Sequence, residues 1–327
     1  MPSVGLPKRE YDALRQTLPP GRLWVNLLVL GADVVLITLA VVLWSTTAWI
    51  GYIGSQLILC VVYFHMFALL HECGHGAVGG SPRWQVLIGS ITSVFCFLPY
   101  YPWKYIHAEH HTWTGNLDRD PTLRLVKTYD ARRRIRNALL NFFWVSWLPV
   151  AGLLQQVVFW MYPFRLLADR DQPSSRKRNC ILSLLVTFGG LAVCLIVLSR
   201  VVDVMGVWLS LVLYLAMVEL VNFPHHLDTH LFEDNPEGTK LAVWDQPATT
   251  RSCYYPFPLS EVLFLNFNFH AEHHVFPRAP WWHLRLLRRS LKARSFVYHE
   301  CVGAGWNIRN RSRPLSEVAI PAWNRGR

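Results

Sequence analysis

Four long apolar runs are the main feature of the hydrophobic and polar pattern along this chain. They lie at residues 23–44, 48–70, 180–199 and 204–223, and a helix of about 20 apolar residues is long enough to cross a bilayer. Only short polar links separate the first run from the second and the third from the fourth. The pattern therefore predicts four transmembrane helices arranged as two hairpins.

Two further apolar segments lie at 84–103 and 138–164. Both carry prolines near or within their ends, at positions 99, 102, 149 and 163. Because proline interrupts a straight helix, we expect both segments to be broken helices that lie at the membrane surface or re-enter it.

Basic residues give the expected orientation of the chain. They gather before residue 23, at 104–136, at 165–178 and from 278 onwards. Since basic loops stay in the cytoplasm, four crossings with both termini inside place all of these stretches on one side. The sequence thus predicts an all-α integral membrane protein, one domain over residues 1–327, whose two hairpins carry a cytoplasmic helical cap.

Composition agrees with a membrane protein. Apolar residues make up 52% of the chain, the formal charge is +11, and there are fifteen tryptophans. Basic and aromatic residues between long apolar runs are typical of a protein seated in an anionic bilayer, so nucleic acid is not an expected partner. The seven cysteines form no CxxC pair and most lie within or beside apolar runs, so no disulfide framework is expected.

Histidines recur in groups beside the apolar runs. The motif HECGH, at 71–75, directly follows the second run, and its two histidines are one helical turn apart. The motif HAEHH occurs twice, at 107–111 and at 270–274. The fourth run leads into NFPHHLDTH, which contains His225, His226 and His230. The predicted topology brings all four groups to one face of the membrane.

Imidazoles at helical spacing chelate metal ions, and neutral imidazole suits zinc, copper, iron and nickel. A zinc hydrolase uses about three protein ligands, far fewer than this chain offers. A haem protein would need facing histidines within the membrane, where the four spans contain only His65. No cysteine-rich motif supports a thiolate zinc or iron–sulfur site. The histidines therefore predict a centre of two redox-active metal ions.

These motifs resemble those of the membrane fatty acid desaturase and hydroxylase superfamily. Its signature is HxxxH, HxxHH and a second HxxHH, the three histidine boxes, with two transmembrane hairpins. The likeness runs from about Leu23 to His283 and includes TGNLDRDP after the second box and NFHAEHHVFPRAPWWHL around the third. Family members hold two iron ions with the box histidines and with the histidine of an NxxxH motif, which Asn222 and His226 match.

The resemblance implies a set of metal ligands. They would be His71, His75, His107, His110, His111, His226, His270, His273 and His274. Asn222 would lie near one iron through a water. His225 stays the alternative to His226, because the sequence does not show which imidazole of the doublet faces the metals.

Further residues are expected around the ligands. Asp228 and His230, together with His225, follow the fourth span closely. Glu72, Glu109 and Glu272 lie inside the boxes, where a carboxylate can accept the second N–H of a ligand histidine and fix its tautomer.

The resemblance also implies the reaction, an O₂-dependent desaturation of a fatty acyl chain linked to a lipid or a thioester. We expect a separate electron donor of the ferredoxin or cytochrome b5 type, since the chain contains no haem-binding HPGG segment and no GxGxxG motif. The basic run from Arg285 to Arg294 is expected to form an interfacial helix that binds anionic lipid or an acidic ferredoxin.

Two alternatives stay open at this point. A hydroxylase or ketolase of the same superfamily, acting on an alkane, a sphingolipid or a carotenoid, would use the same ligands. A histidine-rich metal transporter or sensor would need polar ligands at mid-membrane. The spans contain only Asp33 and Glu219 as acidic residues, which makes a poor ion path.

Overall fold

A computed structural model describes residues 6–46, 48–123, 134–232, 240–294, 296 and 298–319. This part of the chain is mainly helical. The helices are α1 Lys8–Thr17, α2 Leu23–Trp44, α3 Trp49–His75, α4 Pro82–Phe95, α5 Tyr100–Trp113, α6 Arg134–Val145, α7 Val150–Ala168, α8 Ser174–Leu198, α9 Trp208–His226, α10 His270–Val275, α11 Leu284–Ala293, α12 Gly303–Arg311 and α13 Leu315–Ala319.

Short elements connect the helices. The 3₁₀ turns are Pro121–Leu123, Val204–Val207, Gln246–Ala248 and Trp281–His283, and Leu259–Leu263 forms a single π turn. Strand β1 (Arg251–Tyr254) pairs in parallel with β2 (His299–Val302), with Cys253 directly opposite Cys301. Together with the isolated bridge between Asn116 and Phe232, this pair makes up the β structure of the described residues.

The prediction of four membrane-spanning helices is confirmed by length and apolar character. The spans are α2, α3, α8 and the continuous segment Val204–His226, with mean hydropathies between 2.0 and 2.7. Helix α3 continues through the first histidine box, and α8 begins at Ser174, before the expected start at residue 180. The first two turns of α8 contain Arg176, Lys177 and Arg178, whose long side chains can reach the polar membrane surface while the backbone stays helical.

Each of the two proline-containing segments is a bent pair of helices rather than a straight one. Helices α4 and α5 meet at 99°, and α6 and α7 meet at 117°. Phe97 and Trp147 have positive φ angles of 59° and 60° within these breaks, a backbone conformation that a helix does not contain. Pro163, by contrast, lies inside α7 without ending it.

The chain forms two compact units, each assembled from separate stretches of sequence. The span unit comprises residues 21–106 and 156–217, and the site unit comprises residues 1–20, 107–155 and 218–327. In the span unit, α3 is largely buried, whereas few residues of α2 and α8 are buried and many of their apolar side chains are exposed. Large exposed apolar faces of this kind are expected of helices that contact lipid.

Several polar residues inside the span unit contact one another. Asp33 of α2 is fully buried, and its Oδ1 lies 2.8 Å from Nδ1 of His65 in α3. The Ser93 and Thr187 hydroxyls lie 3.2 Å apart between α4 and α8. Such pairs lower the free-energy penalty of burying a polar group in an apolar environment.

The core of the site unit lies around α10 and α11. Leu284, Leu287 and Leu291 form the inner face of α11. Phe276 stacks on Tyr11 of α1 with ring centroids 5.1 Å apart.

The outer face of α11 is the basic run that the sequence suggested as a lipid or ferredoxin contact. Its cations face acidic partners: Arg285 pairs with Glu261, Arg288 and Lys292 with Glu300, and Arg294 lies 3.9 Å from Glu10. Arg285, Arg288, Lys292 and Arg294 are thus engaged within the site unit, which leaves less charge for an outside partner.

Candidate metal centre

Four histidines of the site unit converge in a cluster, here called the buried cluster. It consists of His110, His226, His270 and His274, whose candidate ligand atoms all lie within 4.8 Å of one another. The Nε2 atom of His270 lies 2.8 Å from Nε2 of His226 and 3.1 Å from Nε2 of His274. The cluster thus joins residues from the second box, the third box and the end of the last span.

Three further histidines of the same unit form the outer cluster, His107, His111 and His273. Nε2 of His111 lies 3.1 Å from Nε2 of His107 and 3.1 Å from Nε2 of His273. His107 and His111 are partly exposed. The rings of His111 and His274 stack at 4.2 Å between centroids, so the two clusters are neighbours.

Both clusters fit transition-metal ions. Two nitrogens that bind one ion at about 2.1 Å and at right angles lie about 3 Å apart, close to the separations of the Nε2 atoms here. Burial, followed by the nearby imidazoles of His111, His270, His110 and His226, holds the pKa of His274 well below its usual value. A neutral imidazole keeps the lone pair that a metal ligand needs.

The second box is held by the turn that follows it. Gly115 has a φ of 82°, and a Cβ atom there would lie 2.4 Å from Cγ2 of Thr249, so this position requires glycine. Asn116 then accepts the backbone N–H groups of Asp118 and Arg119 through its side chain. This turn directs Asp120 back towards the box.

Asp120 is the carboxylate that holds a ring nitrogen of the buried cluster. Its two oxygens each lie 3.0 Å from Nδ1 of His110. Asp120 lies in the TGNLDRDP stretch that carries part of the family resemblance, but it was not among the predicted site residues. The available signal was an aspartate in a turn ten residues after a box histidine, a spacing that alone does not show which way the side chain points.

Gln246 is a second residue that the sequence did not suggest. Its Oε1 lies 2.9 Å from Nδ1 of His274, and its Nε2 donates to the backbone carbonyl of His111 at 2.7 Å. One buried amide therefore connects the third box with the second. No motif surrounds Gln246, so only the folded chain reveals this role.

The third box forms the short helix α10, and all six of its residues are buried. Ser252 of β1 accepts the N–H of Ala271 at 2.9 Å and donates to Glu272. Tyr298 also donates to Glu272, at 2.6 Å, and burial raises the pKa of this carboxyl. Glu272 thus ties the helix to β1 and to Tyr298.

The doublet at the end of the last span separates into two roles. His226 belongs to the buried cluster. His225 is fully buried, its ring stacks on that of His270 at 4.3 Å, and neither of its nitrogens has a hydrogen-bond partner among the described residues.

Four other residues expected near the ligands differ in burial and in the contacts they make. Asn222 lies one helical turn before His226 in α9 and is partly buried. The carboxylate of Asp228 lies 3.8 Å from Arg309. His230 is exposed, and Glu109 is partly buried within α5.

The first box belongs to the span unit, where it forms the last turn of α3. The rings of His71 and His75 lie 4.8 Å apart, and Glu72 between them is buried. Gly76 ends the helix with a φ of 72°.

Neighbouring aromatic residues pack closely against the first box. The Tyr100 hydroxyl donates to the carbonyl of Cys73 at 3.1 Å, and a Cβ on Gly74 would lie 2.6 Å from the ring of Trp103. The histidine pair is therefore fixed by close packing.

Comparison with known proteins agrees with these motifs. The family model described as "Fatty acid desaturase" matches residues 47–301. The chain belongs to the fatty acid desaturase family. An omega-3 fatty acid desaturase of Caenorhabditis elegans is 24% identical over 72% of this chain and 59% of its own length. An endoplasmic reticulum omega-6 desaturase of Brassica juncea is 26% identical over 80% of this chain and 71% of its own length.

A chloroplastic omega-6 desaturase of Brassica napus is 26% identical over 74% of this chain and 54% of its own length. The match spans only 54–59% of the length of the first four curated relatives. The family match nevertheless covers all three histidine boxes and strand β1, and it ends within β2 at residue 301.

Proposed function

We propose that this protein is an O₂-dependent desaturase that introduces a double bond into a fatty acyl chain carried by a lipid or a thioester. The observation that carries the proposal is the pair of adjacent histidine clusters in a desaturase-family chain. Two clusters of imidazole nitrogens suit two transition-metal ions, iron among them, and membership of the desaturase family supports the choice of iron. The bound iron pair would supply the activation of O₂ that removing hydrogen from an unactivated alkyl chain requires.

The proposed ligands in the site unit are the seven histidines of the two clusters, and His71 and His75 would supply the remaining ligands. Asp120 and Gln246 orient two of these rings by holding their Nδ1 atoms, which leaves Nε2 of each ring for a metal. Partners that fix the tautomer and direction of a ligand histidine strengthen metal binding. Asn222 and Asp228 stay candidates for a contact through water.

The proposed setting is an integral membrane protein with both termini and the histidine boxes on the cytoplasmic side. An even number of crossings and the distribution of basic residues support this orientation. Electrons would come from a separate carrier of the ferredoxin or cytochrome b5 type.

Metal analysis tests the centre directly. Protein purified in detergent and loaded with Fe²⁺ should hold two irons per chain. His110→Ala and His273→Ala should each lower this number, because one lies in the buried cluster and the other in the outer cluster. The exposed His230 provides a matched control, and His230→Ala should keep both irons. One metal or none in the wild-type protein would overturn the di-iron proposal.

Product analysis tests the reaction. The iron-loaded protein would receive phospholipids with saturated and monounsaturated acyl chains, O₂, and a ferredoxin with its reductase. A product lacking two hydrogens supports desaturation, whereas one with an added oxygen atom identifies the hydroxylase alternative. The transporter alternative is not favoured, because Asp33 and Glu219, the acidic residues of the predicted spans, are engaged within the protein: Asp33 lies 2.8 Å from a ring nitrogen of His65, and Glu219 pairs with Arg311.

A further inference from the structure

Helix α9 contains a proline two residues before the cluster histidine His226. Pro224 has no N–H group, so the carbonyl of Leu220, four residues earlier, lacks its usual helical donor. A backbone carbonyl left unpaired in an apolar environment is costly, and broken membrane helices therefore depend on donors from neighbouring segments. The direction of the last turn of α9, and with it of His226, depends on what replaces that donor.

Two side chains from other parts of the site unit replace it. The Nδ2 atom of Asn307 donates to the Leu220 carbonyl at 2.9 Å, and the Tyr255 hydroxyl donates to the same oxygen at 3.1 Å. Asn307 belongs to α12 and Tyr255 follows β1. Both side chains are buried, at 2% and 8% exposure, so water does not compete strongly for the carbonyl.

The end of α9, beyond the proline, is also held from outside. Arg251 donates to the carbonyls of Pro224, Leu227 and Asp228 at 2.7 to 2.8 Å. The N–H of Asp228 donates to the carbonyl of Val318 in α13 at 3.0 Å. A basic side chain on the last carbonyls of a helix compensates for the donors that the helix end lacks.

An ion pair also holds α9 before the proline, at Glu219. Glu219 accepts from Arg311 of α12 at 2.7 Å and from the N–H of Gly152 at 2.6 Å. The guanidinium group of Arg311 lies 3.9 Å from the ring centroid of Trp144 in α6. The ion pair and the added N–H donor offset the free-energy cost of burying this carboxylate in an apolar span.

Three residues of this network, Asn307, Arg311 and Val318, lie after residue 301, where the family match ends. We propose that α12 and α13 are a positioning segment for the metal centre. Asn307 and Arg311 hold α9 before the proline, at Leu220 and Glu219, and Val318 accepts the N–H of Asp228 after it. These contacts keep His226 directed into the buried cluster. This inference rests on the proposed di-iron function.

Variants of the two donors to Leu220 test the inference. Tyr255→Phe removes only a hydroxyl, Asn307→Leu removes the amide donor with little change of size, and the two changes are also combined. Ile308→Ala is the matched control, because Ile308 lies on the same helix and is 66% exposed. Each protein is loaded with ⁵⁷Fe²⁺. The iron that it retains is measured during titration with a chelator, and its Mössbauer spectrum is recorded.

We expect the double variant to hold one iron about 10-fold more weakly or worse, with changed Mössbauer parameters for that iron only. The second iron and the control should match wild type, and Asn307→Gln, which keeps an amide donor, should recover part of the loss. Tyr255→Phe should show the same change to a smaller degree, even where the double variant unfolds.

Two results would count against the inference, and they are distinguishable. A folded Tyr255→Phe and a folded Asn307→Leu that both retain two irons with wild-type affinity and spectrum would overturn the positioning role alone. A wild-type protein that binds fewer than two irons would overturn the proposed function, and this inference with it.

Discussion

Both carboxylate oxygens of Asp120 lie 3.0 Å from Nδ1 of His110. Asp120 is 1% exposed and is itself held by the N–H groups of Gly115 and Thr122. The ring of His110 is therefore fixed through one nitrogen, which leaves Nε2 as the nitrogen available to a metal.

Asp120→Asn should weaken metal binding at the buried cluster. An amide is a poorer acceptor than a carboxylate and does not raise the basicity of the ring, and loss of such a partner typically lowers metal affinity about 10–100-fold. Iron retention during titration with a chelator measures the effect. Asp118→Asn, an exposed change in the same turn, should behave as wild type. Equal retention in the two variants would show that Asp120 does not support the site.

The histidine doublet gives a second prediction. His226→Phe should remove one iron, whereas His225→Phe should keep both, because a phenyl ring preserves the stack that His225 makes on His270. Iron per chain by elemental analysis distinguishes the two variants. Loss of iron in His225→Phe with full retention in His226→Phe would exchange the roles of the two residues.

Much of the fold follows from sequence, because membrane spans depend on a local property. Twenty apolar residues predict a span wherever they occur, and the start and end of α2 agree with the apolar run at 23–44. The bends between α4 and α5 and between α6 and α7 were suggested by Pro99 and Pro149. The bend angles and the positive φ of Phe97 and Trp147 depend on tertiary packing, which proline alone does not specify.

The site residues were predictable only where the spacing of histidines along a helix indicates that they share a face. Histidines at i, i+3 and i+4 share a helix face, so His107, His110 and His111 were identified from the second box alone. Gln246 and Asp120 reach their histidines through loops, and no periodicity describes the direction of a loop side chain. Glu272 was expected to hold a ligand histidine, whereas its carboxylate binds Ser252 and Tyr298. The position of Glu272 on its helix did not identify those partners, because they come from β1 and from the segment before β2.

Glu272 gives a third prediction. Tyr298→Phe removes the hydroxyl that donates to this buried carboxylate at 2.6 Å. Loss of a hydrogen bond to a buried charged group costs about 1.5–3 kcal/mol, so the midpoint of thermal unfolding in detergent should fall. Iron content should stay at the wild-type level, because Tyr298 acts on the fold of α10. Tyr254→Phe, at a 45% exposed position of β1, serves as the control. A normal unfolding midpoint in Tyr298→Phe would contradict this account.

Asp33 and His65 give the last prediction, which concerns the stability of the span unit. Asp33→Leu and His65→Phe should each destabilise the protein, His65→Phe by about 3 kcal/mol or more, since it leaves a carboxylate buried in an apolar environment without its partner. The double variant Asp33→Leu/His65→Phe should recover most of the loss, because replacing both members of a buried polar pair by apolar side chains is often neutral.

Thermal unfolding of the four proteins in detergent gives the coupling between the two positions. Val34→Leu, at a 63% exposed position beside Asp33, controls for the added leucine. Additive losses in the double variant would mean that the two side chains act independently and that the 2.8 Å contact contributes little to stability. Recovery would show that the two polar groups are present in the membrane helices because each satisfies the other, and so do not need a transported ion.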